Sequence, residues 1–181
     1  MLTEINGNEL ELITGDITRQ TTEAIVNAAN GSLMGGGGVD GAIHRAAGSE
    51  LLQECKAVRN EQLCRRQLPA GEVVITGGYH LPADYVIHTV GPIWNNHNGK
   101  ENELLANCYR NSLELAREKG LRSISFPSIS TGVYRFPLEQ AAGTAVRTIK
   151  EFLSDYSFGK VVMTLFSDQD YDVYKRELEK L

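Results

Sequence analysis

The feature that most constrains this 181-residue chain is an alternation of strand-like and helix-like segments. Residues 9–14 (ELELIT) alternate apolar and polar side chains, as a half-buried strand does, and residues 24–27 form a short apolar run of the buried-strand kind. Residues 72–76 and 85–90 are rich in β-formers and are closed by Gly77-Gly78 and by Gly91-Pro92. Residues 123–126 form another such run, stopped by Pro127, and residues 160–166 form the last. Between these runs the period changes. Residues 39–47 and 50–63 read as helices. Leu105, Cys108, Tyr109, Ser112, Leu113 and Ala116 fall on one helical face, and Leu138, Ala141, Ala142, Ala145, Val146, Ile149, Phe152 and Leu153 fall on another. Pro137 suits the first turn of that second helix. Ser167-x-x-Asp170 has the form of a capping box ahead of a helix carrying Tyr171, Tyr174 and Leu178. Strands that alternate with helices predict a mostly parallel sheet covered on both faces. No linker, repeat or low-complexity segment intervenes, so one α/β/α domain over residues 1–181 is expected.

Composition narrows the class. Hydrophobic residues are 41% and charged residues 23% of the chain, the balance of a globular protein with a core. No apolar run reaches 18 residues, so no membrane span is expected. The polar start, Met1-Leu-Thr-Glu-Ile-Asn, lacks the charged and apolar regions of a signal peptide. A net charge of -5 argues against a broad nucleic-acid surface but leaves room for a small anion held by backbone amides. Cys55, Cys64 and Cys108 are odd in number and form no C-x-x-C, which predicts reduced thiols in a cytoplasmic protein. His44, His80, His88 and His97 show no metal-ligand spacing, so no metal is expected, and His44 and His88 read as structural.

Ligands of such sheets bind beyond the carboxyl ends of the strands. The unusual residues sit there. Gly35-Gly36-Gly37-Gly38 opens a helix, where backbone amides face an anion such as phosphate. Gly36-x-Gly38-x-x-Gly41 has the spacing of a dinucleotide fingerprint, but it does not directly follow a first strand, and the residues near Glu61 are helical. A Rossmann oxidoreductase is therefore rejected, and a P-loop is rejected because no Gly-Lys-Ser/Thr follows. Asn27 and Asn30 flank a strand end, where amides suit sugar hydroxyls or simply form a turn. Asp40 is either a dipole partner at a helix start or a carboxylate that orients or activates water. Asp16 is either a turn or cap residue or an acceptor for an exocyclic amine. Residues 128–137, SISTGVYRFP, are a strand–helix loop able to cradle phosphates through its amides.

The ordered set G-D-I at 15–17, V-N-A-A-N at 26–30, G-G-G-G-V-D-G-A-I-H at 35–44, H-T-V-G-P at 88–92 and S-I-S-T-G-V-Y at 128–134 resembles the macro domains of the MacroD type, which include bacterial O-acetyl-ADP-ribose deacetylases. The resemblance runs from Gly15 to the last helix. It implies a three-layer α/β/α sandwich with a mixed, mostly parallel sheet, and a pocket for ADP-ribose that needs no cofactor. It implies that Asp16 accepts the adenine amino group beside the Ile17 amide, and that Asn30 holds a hydroxyl of the distal ribose. Asn27 and Val39 belong to the same ligand-contacting stretch. Gly36, Gly37 and Gly38 would line the diphosphate and distal ribose, and Ser130, Thr131, Gly132, Val133 and Tyr134 would wrap the phosphates. Phe136 would flank the distal ribose and Phe166 would pack on adenine. Asp40 would be the principal catalytic carboxylate, with Asn30 orienting the sugar. One departure stands out: position 135 is Arg where the family commonly has Gly.

The implied reaction is hydrolysis of an ADP-ribose ester, either mono-ADP-ribose on a protein Asp or Glu or O-acetyl-ADP-ribose. The implied partners are these ligands and mono-ADP-ribosylated proteins. A reader without turnover and an ADP-ribose 1″-phosphate phosphatase are the competing readings of the same pocket.

Overall fold

The computed structural model describes residues 1–181. β1 (Leu2–Ile5) and β2 (Asn8–Thr14) form an antiparallel hairpin that turns on Asn6 and Gly7, at φ 53° and 79°. Two successive positive φ values match the twist of a two-residue hairpin, and Asn-Gly adopts them at little cost. β1 is the one strand that apolar patterning misses. It is short, and its side chains alternate only between exposed and half-buried.

The remaining elements follow the expected alternation. They are β3 (Ala24–Ala28), α1 (Gly38–Ala47), α2 (Ser49–Glu61), β4 (Val73–Gly77), β5 (Tyr85–Thr89), α3 (Glu101–Glu118), β6 (Ser123–Phe126), α4 (Leu138–Asp155), β7 (Lys160–Leu165) and α5 (Asp168–Glu179). A short 3-10 helix, Ile17–Arg19, follows β2. α2 stops two residues before the expected Leu63, because Cys64 and Arg65 take φ values of 53° and 66° that no right-handed helix continues. The Ser167 hydroxyl accepts from the Asp170 amide at 3.1 Å, as the capping pattern predicts.

The seven strands order as β1-β2-β7-β6-β3-β5-β4. The outer pairs β1/β2 and β4/β5 are antiparallel, while β2, β7, β6, β3 and β5 run parallel. The sheet is thus mixed and mostly parallel, as expected. One face packs under α3, α4 and α5 in a core that includes Leu10, Val26, Ile87, Tyr109 and Ile149. The other packs under α1 and α2 around Ile25, Ile43, Leu51 and Val86. Strand side chains alternate between faces, so Asn27 shares the α1/α2 face with Ile25, and His88 shares it with Val86. No helix is long and apolar enough to cross a membrane.

Candidate active site

The carboxyl ends of the parallel strands meet at one edge of the sheet, and a cavity of about 380 Å³ opens there. That is within the size range of small-ligand pockets. The chain leaving β3 supplies Ala28, Ala29 and Asn30, and the start of α1 supplies Gly37, Gly38, Val39 and Asp40. The chain leaving β6 forms the facing wall with Ser128, Ile129, Ser130, Gly132, Val133 and Tyr134. Gly91, just past β5, closes the gap between them. The walls touch once across the cleft, where the Tyr134 hydroxyl donates to Asn30 Oδ1 at 3.5 Å.

The glycines act by what they lack. A Cβ on Gly37, Gly38 or Gly132 would meet no protein atom within 4 Å, so these positions face open space. Gly35 and Gly38 hold φ of 86° and 56°. A Cβ on Gly36 would overlap Asn30 Nδ2 and would lie 3.3 Å from Asp40 Oδ2. Gly36 therefore leaves both side chains in place. Asn30 donates from Nδ2 to the Gly35 carbonyl at 2.9 Å, which fixes the side chain against the glycine run. Gly91 is constrained from the other wall, since its Cβ would overlap Ser130 Oγ and come within 2.7 Å of Ile129 Cγ2.

Asp40 sits on the floor in the first turn of α1, where the helix dipole favours an anion. It is only 3% exposed. Its Oδ1 accepts from Asn27 Nδ2 at 2.9 Å and lies 3.4 Å from His44 Nε2. Its Oδ2 is buried and has no hydrogen-bond partner in the protein. Behind it, Asn27 Nδ2 also reaches His88 Nδ1 at 3.1 Å, and His88 Nε2 is 2.9 Å from Thr76 Oγ1. Burial pushes the His88 ring down to about 3, with His44 adding to the effect, so the ring is neutral. Cys55 Sγ lies 4.0 Å from His88 Nε2, but burial first, then Asp40 and Glu54, push this thiol up to about 12. The pair is no nucleophile and base.

Asp16 lies at the exit of β2. Its Oδ1 accepts from the Thr18 amide at 2.9 Å and from the Thr18 hydroxyl at 2.7 Å, and these bonds hold the carboxyl below its usual range. Its side chain is 55% exposed, and its other oxygen lies 3.9 Å from Nε of the exposed Arg19. Ile17 beside it is buried. Phe166 stands 91% exposed at the exit of the adjacent β7.

The cavity wall thus gathers Asn30, Gly37, Gly38, Val39, Asp40, Ser130, Gly132, Val133 and Tyr134 from the positions expected to touch ligand. Gly36 and Thr131 adjoin lining residues in the chain without lining the cavity themselves, and Asp16, Ile17 and Phe166 lie along the same sheet edge. Asn27 is fully buried beneath Asp40 rather than on the wall. Phe136 lies in the core, 3% exposed, with its ring 4.8 Å from that of Trp94. Ala28, Ala29 and Gly91 line the cavity without any role read from sequence, while Ser128 and Ile129 belong to the 128–137 loop read as a phosphate cradle. Gly91-Pro92 directly after a strand was the one available signal among them. The contacts of Asn27 with Asp40 and His88 had none, because they join positions 13 and 61 residues apart.

The profile of the macro domain family matches residues 26–145. The O-acetyl-ADP-ribose deacetylase of Klebsiella pneumoniae is 51% identical over 93% of this chain and 95% of its own length. The ADP-ribose glycohydrolase MACROD2 of Homo sapiens is 50% identical over 95% of this chain, which spans 40% of that longer protein. The Oceanobacillus iheyensis macrodomain solved with ADP is 57% identical and superposes with a TM-score of 0.98, covering 99% of this chain and 95% of that one. The two walls, the glycine-opened helix and the parallel sheet that carries them are those of a known fold, and the chain belongs to the macro domain family.

Proposed function

We propose that this protein binds ADP-ribose and hydrolyses its esters, removing mono-ADP-ribose from protein Asp and Glu side chains and deacetylating O-acetyl-ADP-ribose. The observation that carries the reading is Asp40 Oδ2, a buried carboxylate oxygen without a partner at the floor of the cleft. Such an atom costs stability unless something uses it. A binding module needs no such acceptor. The names of the Klebsiella and human relatives, a deacetylase and a glycohydrolase, support the same reading.

In this reading Asp16 accepts the adenine amino group beside the Ile17 amide, and the exposed Phe166 ring packs on the base. The diphosphate lies between Gly36, Gly37, Gly38 and Val39 at the start of α1 and the amides of Ser130, Thr131, Gly132, Val133 and Tyr134. Asn30 orients a hydroxyl of the distal ribose. Asn27 and Phe136 act from behind, the first on Asp40 and the second by supporting the loop from the core. A water on Asp40 Oδ2 gives its proton to that oxygen as its own oxygen bonds to the ester carbonyl carbon; the bond from that carbon to the ribose oxygen then breaks, and the departing oxygen takes the proton back from Asp40. The ester divides into a carboxylate and an alcohol, so the reaction needs placement and a proton acceptor more than a leaving-group acid. The unit is one domain over residues 1–181, supported by a single seven-stranded sheet that uses strands from both ends of the chain. The free thiols Cys55, Cys64 and Cys108 support a cytoplasmic setting.

The test is incubation with a carrier mono-ADP-ribosylated on glutamate, following release of ADP-ribose. Release of many equivalents per enzyme is expected. Tight binding without release points to a reader, and phosphate release from ADP-ribose 1″-phosphate with inert esters points to a phosphatase.

A further inference from the structure

Asn27 Nδ2 touches two groups at once, Asp40 Oδ1 at 2.9 Å and His88 Nδ1 at 3.1 Å. An amide nitrogen offers two hydrogens and no acceptor, and an ionised carboxylate only accepts. The nitrogen of Asn27, not its oxygen, must therefore face Asp40. Its second hydrogen then points at His88, so Nδ1 of that ring must be bare. A neutral ring without a proton on Nδ1 carries it on Nε2, and that hydrogen meets Thr76 Oγ1 at 2.9 Å. The Thr76 hydroxyl in turn donates to the Gly77 carbonyl at 3.2 Å. Every link has one consistent donor and one consistent acceptor.

The sheet makes this chain of contacts possible. Asn27 of β3 and His88 of β5 are direct register partners, and His88 lies beside β4, which brings Thr76. Asn27, His88 and Thr76 are 0%, 1% and 2% exposed, so water has no route to replace a lost partner. α1 lays Asp40 and His44 over this face, and α2 lays Cys55 there. We infer that His88 is a positioning residue for the proposed hydrolysis, its Nε2-protonated ring fixing the Asn27 amide so that Asp40 Oδ1 is held and Oδ2 stays free for water. The opposite tautomer would set N–H against N–H. Relief by flipping Asn27 would then press its carbonyl oxygen against the carboxylate. A ring two links from the cleft thus sets the orientation of the carboxylate at its floor.

This inference rests on the hydrolase reading, and two variants separate its parts. His88→Gln places a polar group near the Nε2 position but removes the Nδ1 acceptor. His88→Asn keeps an acceptor at the Nδ1 position and gives up the Thr76 contact. On the glutamate-linked carrier, kcat should fall about tenfold in H88Q, the worth of one buried hydrogen bond. KM and calorimetric ADP-ribose affinity should stay within about twofold, and H88N should recover most of the lost kcat. Equal losses of kcat in the two variants, or a loss carried by KM and affinity, would overturn the assignment. The ring-nitrogen NMR spectrum of the unaltered protein provides a check that needs neither variant to fold. Nε2 should be protonated and Nδ1 bare, and a proton on Nδ1 sinks the inference. A wild-type chain without turnover refutes the hydrolase reading instead, and the spectrum still decides the state of the ring.

Discussion

On the α1 side of the cleft, the proposed acting group is a side chain held through other side chains: Asp40 on Asn27, Asn27 on His88, His88 on Thr76. On the 128–134 side, the groups proposed to hold phosphate are backbone amides, and side chains hold the loop. There the Ser128 hydroxyl meets the Tyr174 hydroxyl at 2.6 Å and Thr131 Oγ1 at 2.8 Å. The Ile129 amide donates to the Tyr109 hydroxyl at 3.2 Å. Tyr109 comes from α3 and Tyr174 from α5, both fully buried. Burial raises both phenols above their usual range, Tyr174 to about 12, so they remain neutral hydroxyls. The contrast follows from the two tasks. A proton acceptor must be one atom in one place, which a buried chain of directed hydrogen bonds enforces. A phosphate needs several amides at once, which a loop pinned at its base provides.

If the first wall does the chemistry and the second the holding, variants should separate turnover from affinity. Asp40→Ala should lower kcat about a hundredfold or more, the range of a lost general base, with little change in ADP-ribose affinity by calorimetry. A large affinity loss and modest kcat loss would merge the two walls into one. Gly91→Ala pushes a methyl onto Ser130 Oγ and Ile129 Cγ2. Overpacking of this kind costs about 1–3 kcal/mol, so both thermal stability and ADP-ribose affinity should drop, the latter about tenfold. Unchanged binding would mean that the second wall yields freely. Tyr174→Phe removes one hydroxyl from the base of the loop. A loss of about 1 kcal/mol corresponds to roughly fivefold weaker ADP-ribose binding, with kcat at saturating ester preserved. The smallest effect is expected at Arg135, an exposed residue held at φ 60° with its amide on the Gly132 carbonyl at 3.0 Å. Arg135→Gly relieves left-handed strain of about 1–2 kcal/mol but adds unfolded-chain entropy, so differential scanning calorimetry should show Tm rising by only about 2 °C. A fall in Tm would show that the guanidinium makes a contact the loop depends on.

How much of this was legible in the sequence divides along the same line. The alternation of periods, with the capping box at Ser167, located every α-helix and all strands except β1, and missed only the short 3-10 helix Ile17–Arg19. That strand had a signal in Asn6-Gly7, which marks a hairpin only once a short, weakly apolar run beside it is accepted as a strand. The wall segments were also legible, because glycine runs and small polar residues after strands are local features. What local features cannot carry is which side of a wall a residue occupies. Asn27 read as a ligand contact from its place at a strand end, yet period two turns it toward α1 and beneath Asp40. Phe136 lies one residue past the loop's left-handed Arg135, and its ring turns into the core against Trp94. His88 read as structural, and its burial agrees with that. Its connection to Asp40 exists only through the register that sets β3 beside β5.

The buried ring of His88 also ties folding to proton uptake. In the fold it is pushed down to about 3, whereas in the unfolded chain it titrates near the ordinary imidazole value of 6.5. Above the higher value both forms are neutral and the ring's contribution is fully present. Between the two values, unfolding takes up a proton that the folded molecule refuses, and stability falls by about 1.4 kcal/mol for each pH unit of acidification. Denaturant midpoints of the wild type should therefore decline faster than those of H88N from pH 6.5 downward, and parallel curves would show that the ring is not held neutral. A residue that steadies the cleft near neutrality is thus also a point at which acid opens the whole molecule.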